Sequence, residues 1–158
     1  MWNNLLYAEF KGPRHWVLTK PLSYETDNFL LNTKQWEKIG IPVTKPGSIR
    51  HRKISIVVPV GYNTDLASIA RPIWGIISPW DVARGAVIHD MLYGAIRNAK
   101  DTLTKEEIKQ LRAEADEIFR RGMNDAEPNI PDWKIKACYY SVRAIGWASI
   151  IKKAKFKN

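Results

Sequence analysis

Asp81-Val82-Ala83-Arg84-Gly85-Ala86-Val87-Ile88-His89-Asp90-Met91-Leu92-Tyr93-Gly94-Ala95-Ile96 is the stretch on which the reading of this chain turns. Ala83, Ala86, Val87, Ile88, Met91, Leu92, Ala95 and Ile96 cover most of the circumference of a helix, the pattern of a central buried helix. Asp81 is placed to cap it, over about Val82 to Ile96. His89 and Asp90 sit in adjacent sectors, at about 100° per residue, so at least one of them is enclosed. Enclosing a carboxylate beside an imidazole costs roughly several kcal/mol unless a charge or hydrogen bond compensates. The pair therefore requires a partner.

Two more helices follow. Thr104 and Glu107 have capping-box spacing ahead of a stripe of Ile108, Leu111, Ala115, Ile118 and Phe119, with the helix ending at Arg121 and Gly122 just beyond it. Asp132 can cap a last helix to about Ile151, carrying Ile135, Cys138, Tyr139, Val142, Ile145 and Trp147. Before Tyr62 the pattern is that of strands. Leu6 to Lys11, His15 to Lys20 and Pro21 to Thr26 are short runs split by Gly12-Pro13 and Lys20-Pro21. Lys53 to Val60 is the clearest strand, with Ile54, Ile56 and Val58 on one face and Pro59 near its end. Residues 40 to 50 read as a surface loop, from the turn chemistry of Gly40, Pro42, Pro46 and Gly47. The expected fold is α+β, a small β-rich N-terminal part packed on a three-helix C-terminal part.

Length and composition are those of one globular domain over residues 1–158: a β-rich part to residue 60, a motif-bearing helical part over 61–151 and a basic tail over 152–158. No apolar run approaches the ~20 residues of a membrane span, and the N-terminus lacks the pattern of a secretory signal, so synthesis in a cytoplasm is expected. The single cysteine, Cys138, excludes an internal disulfide and a four-thiolate zinc site; core packing is its simplest role. The net charge of +9 is concentrated at the ends, with 7 basic and 1 acidic side chains in residues 132–158 against 5 and 8 in residues 101–131. Such a field suits nucleic acid, anionic lipid or an acidic protein surface, or merely maintains solubility. Lys152, Lys153, Lys155 and Lys157 form either a solvated tail or an interface arm on an acidic partner.

The candidate chemistry gathers on four residues. Asp116 lies at the border of the second helix's apolar stripe, and Asp65 follows a strand end through Gly61. Asp65, His89, Asp90 and Asp116 could meet around a divalent cation, three oxygen donors and one nitrogen suiting Mg²⁺ or Mn²⁺ and admitting Zn²⁺. His89 and Asp90 would then be the catalytic pair. The same groups also read as a purely structural network, because Arg143 inside the apolar last helix needs a carboxylate from Asp90 or Asp116, with Tyr93 and Tyr140 supplying hydroxyls. Other chemistry is less well supplied. His15 and His51 do not provide the earlier helical histidine of an HD phosphohydrolase, and Ser68 lacks the Gly-x-Ser-x-Gly elbow, reading instead as a cap before Arg71-Pro72. Trp74 and Trp80 could roof a pocket or close the core.

Taken in order, Gly61 to Pro72 with Thr64-Asp65 and Ser68, His89-Asp90-x-Leu92-Tyr93, Ala115-Asp116-x-x-Phe119 with Met123, and Tyr140-x-Val142-Arg143-x-x-Gly146 resemble a phage and prophage family, the domain-of-unknown-function family numbered 1353. The resemblance spans about residues 53 to 147, and differs where Ile69 and Ala70 delay the expected proline to Pro72. It implies a phage origin and no particular activity. Two functions are therefore expected. The first is a virion-associated structural or assembly protein in the tail, neck or interior, docking on other phage structural proteins, a second copy of itself or nucleic acid through aromatic and basic surfaces. The second is a metal-dependent hydrolase of cell wall or nucleotides, with the four residues above holding a cation that activates water.

Overall fold

Strand β5 (Lys53–Val58) organises the β part of the computed structural model, which describes residues 1–13, 15–27, 32–44, 53–65 and 79–151. Ser68, Arg71, Pro72, Trp74, His51 and the four tail lysines lie outside these residues, as do the side chains of Trp80, Asp81, Ile145 and Trp147. Alternation places Ile54, Ile56 and Val58 on one face, all fully buried. Strand β3 (Leu22–Asp27) pairs antiparallel with β5, from Leu22 opposite Val58 to Asp27 opposite Lys53, so that Leu22, Tyr24 and Thr26 extend the same buried face. On the other side of β5 runs β4 (Val43–Thr44), with Val43 opposite Ile56. The loop expected over residues 40 to 50 is corrected at Val43–Thr44, where Ile41 and Val43 flank Pro42 and are both buried, which draws these residues onto the sheet; residues 45–50 lie outside the described residues.

A second antiparallel sheet has the order β1 (Ala8–Gly12), β2 (His15–Leu18), β6 (Asn63–Thr64). Gly61 makes the turn into β6 with φ of 80°, a conformation that favours glycine, and its N–H donates to the Leu18 carbonyl at 2.8 Å. The β-rich part also contains a helix that the sequence reading did not find, α1 (Thr33–Lys38), capped by the Asn32 side chain. It buries Trp36 completely.

Three long helices complete the α+β fold: α2 (Pro79–Ala99), α3 (Lys105–Asn124) and α4 (Asp132–Ile151). Val82, Ala86, Val87, Ile88, Leu92 and Ile96 are buried around α2, which packs mainly against α3 and also against β5 and α4. Its start is earlier than expected. Asp81 lies inside the first turn, because Pro79 has no N–H to satisfy and its fixed φ suits the opening of a helix. The Thr104–Glu107 capping box is present at the head of α3. At the head of α4 the Pro131 carbonyl accepts from Lys134 and Ile135, so Asp132 is the first helical residue.

Helix α3 runs past Gly122, which the sequence reading placed beyond its end. Gly122 is a notch rather than a stop: Trp2 lies against it, with the indole Nε1 donating to the Gly122 carbonyl at 2.8 Å. A Cβ at this position would come within 2.9 Å of Trp2 Cζ2. Alanine in place of glycine inside a helix ordinarily adds about 1 kcal/mol of stability. Gly122→Ala is instead expected to lose about 1 kcal/mol in denaturant unfolding, since overpacking costs about 1–3 kcal/mol. A gain in stability would show that Trp2 yields freely.

Candidate functional site

Asp116 has no exposed surface, although the sequence reading put it at the border of the core. The amphipathic face of α3 turns it inward beside Ala115 and Phe119, where α2 and α4 approach. One oxygen, Oδ1, accepts from His89 Nε2 at 2.9 Å and from the Tyr93 hydroxyl at 2.7 Å. The other, Oδ2, accepts from Arg143 Nη1 at 3.0 Å. His89 and Tyr93 stand one helical turn apart on α2, and Arg143 comes from α4, so this carboxylate links all three helices. The His89 ring is enclosed by Tyr93, at 4.2 Å between centroids, and by Phe119, at 5.1 Å. Gly146 makes room for the cluster, because a Cβ there would collide with the Tyr93 hydroxyl.

Burial alone would push the Asp116 carboxyl up. The hydrogen bond and charge of His89, then the Tyr93 hydroxyl and the Arg143 guanidinium, override it and hold Asp116 below the usual carboxylate range. Burial, reinforced by the charge of Asp116, pushes the Tyr93 phenol above its ordinary value, so Tyr93 donates a proton in its hydrogen bond and does not ionise. A carboxyl held low in the folded state contributes stability that is present above its unfolded value and lost as pH falls through the folded one. Stability is therefore expected to decline as the solution is acidified below about pH 4. Asp116→Asn should flatten that decline in unfolding curves taken at several pH values, leaving the parts due to Glu117, Glu107 and Asp125, which hydrogen bonds from Arg120, from the Thr104 backbone and from the N-terminal ammonium also hold low.

Asp90 is not in this cluster. Its sector of α2 faces β6, where the buried Thr64 hydroxyl donates to Asp90 Oδ2 at 2.9 Å. The two neighbours on the helix thus serve different elements: His89 reaches α3 and Asp90 reaches the β part. Asp65 is exposed beside Thr64. Its charge and those of Asp90 and Arg97 act on the Tyr62 phenol, which burial first of all pushes above its ordinary value. The expected pairing of Arg143 with either aspartate resolves to Asp116. Tyr140 is 66% exposed on the outer side of α4 and meets Tyr139 edge-on, so it is corrected out of the network. Among the described residues, no three His, Cys, Asp or Glu side chains group so as to hold a metal ion. The four-residue cation set is corrected accordingly: Asp116 spends both oxygens on protein donors, and the helix directs Asp90 away from it.

Sequence reasoning missed three polar anchors. Thr64 stands next to Asp65 in the Gly61 to Pro72 stretch, yet nothing local ties it to Asp90. Glu114 accepts from the Trp36 indole at 2.7 Å and from the Asn32 backbone at 3.0 Å, fixing α1 to α3. Asp125 accepts from the Tyr24 hydroxyl at 2.8 Å.

Fold and site together define a small α+β protein whose three long helices close on an interior carboxylate bound by imidazole, phenol and guanidinium. The chain belongs to the family described as Protein of unknown function (DUF1353), which matches residues 42–142. That span opens ahead of β4 and stops one residue short of Arg143. No curated protein and no solved structure matches the chain. Among the described residues, no helix is long and apolar enough to cross a membrane.

Proposed function

We propose that the protein is a structural or assembly component of a bacteriophage particle, docking on other particle proteins through its aromatic and basic surfaces. One observation carries this reading: the most chemically loaded group of the fold, Asp116 with His89, Tyr93 and Arg143, is spent on joining α2, α3 and α4. General base catalysis needs a proton to abstract within hydrogen-bond reach, and here His89 faces Asp116 and two aromatic rings. The cluster lines neither the cavity of about 670 Å³ nor that of about 400 Å³. Meanwhile Phe10, Trp133 and Tyr140 are more than half exposed. Aromatic side chains of this kind anchor protein interfaces, and the net charge of +9 favours acidic neighbours.

Mass spectrometry of purified particles, produced by a phage or prophage that encodes the chain, is expected to find it at fixed stoichiometry. Metal analysis and melting in chelator form the opposing arm. One tightly held divalent cation, with a melting temperature that falls in chelator, would overturn the assembly reading in favour of a metal-dependent hydrolase.

A further inference from the structure

A chemistry-bearing space apart from the Asp116 cluster is the cavity of about 670 Å³ between the N-terminal segment, the head of α2 and the end of α3. Its walls are mainly apolar, with Leu6, Trp16, Val82, Met123 and Ile130 among them. Its size falls within the roughly 300–1,000 Å³ of small-molecule sites, which combine apolar walls with a few placed polar groups. The charged residues lining it are Arg84, Lys134 and Glu127, two cations against one acid. Arg84 is held in place: its guanidinium lies 5.3 Å from the centre of the Trp2 ring, and Nη2 donates to the Glu127 carbonyl at 2.9 Å. That bond commits one of the five N–H groups of a guanidinium, whose fork matches a carboxylate. The Glu127 side chain is exposed at the rim.

We propose that this cavity binds an aliphatic carboxylate, with the hydrocarbon chain along the apolar walls and the carboxylate on Arg84. An alkyl ammonium of the same length would meet the Arg84 guanidinium instead and be refused. A chain of about eight carbons is enough to test both halves of the recognition, since each buried methylene contributes and the head group sets the sign.

Octanoate and octylammonium are titrated calorimetrically into the full chain. Saturable one-site binding of octanoate is expected, at least tenfold tighter than octylammonium. Arg84→Gln should weaken octanoate tenfold or more, the effect of removing a charge-assisted pair. Ala126→Phe, which fills the cavity, should abolish binding; if its melting curve shows that it does not fold, Ala8→Trp at the cavity's outer wall replaces it. The proposal is overturned if octanoate does not bind, if octylammonium binds as tightly, or if the Arg84 or cavity-filling variant binds like the parent.

Discussion

Asp116→Ala is expected to lower the unfolding free energy by about 3–5 kcal/mol, the range found when one partner of a buried ionic group is removed. The reason lies in what remains. His89 and Tyr93 are each nearly inaccessible to water, and both would keep a donor aimed at an empty space. An unsatisfied buried donor costs about 1–3 kcal/mol, and two arise together. Arg143→Ala should be milder, on the order of 1 kcal/mol, because its side chain is 39% exposed and water can replace part of what it loses. Equilibrium denaturation of the two variants measures the contrast. If Asp116→Ala lost less than about half a kcal/mol, the scale of surface substitutions, the carboxylate would not be coupling the helices.

Trp36→Ala should be comparably severe, at about 3–5 kcal/mol, the usual cost of deleting a buried large aromatic side chain. Trp36 is fully buried, and it is also the point through which α1 is tied to α3. Trp36→Phe separates the two contributions. It retains most of the apolar volume while leaving Glu114 Oε2 without the indole donor, although the Asn32 N–H still reaches that oxygen. A loss of about 1–2 kcal/mol is expected for the phenylalanine variant, in keeping with one hydrogen bond to a charged acceptor. Equal losses for both variants would mean that packing contributes little and the hydrogen bond nearly everything.

The helices were legible because their signals are local: capping residues, apolar stripes and a period of 3.6 need only neighbouring positions. β5 was legible for the same reason, with Ile54, Ile56 and Val58 at alternate positions in a β-branched run. The elements missed or misplaced are those decided by distant partners. α1 has six residues and gains its fixity from Glu114, far along the chain. β4 has two residues and exists because β5 offers it an edge. Gly122 has the appearance of a helix stop and is a seat for Trp2. At the candidate site, the adjacency of His89 and Asp90 implied that one would be enclosed, but the direction each side chain takes depends on how α2 is rotated against α3 and β6. That rotation comes from packing, and it separates two residues that the sequence presents as a pair. Tyr140 was misassigned for a related reason: Tyr139 and Tyr140 lie about 100° apart on α4, and sequence alone does not say which way the helix faces.

The seat of Trp2 on Gly122 spans 120 positions of sequence. During vectorial synthesis the first residues therefore emerge long before their receptor exists. Over that interval Trp2 opposite Tyr24 and the Asn3 N–H on the Ser23 carbonyl can already cover the outer rim of β3, because these partners are close in sequence. What waits for α3 is the seat itself: until Gly122 has emerged, the Trp2 indole lacks the carbonyl that receives its N–H, and only docking on α3 withdraws that aromatic surface from contact with other chains.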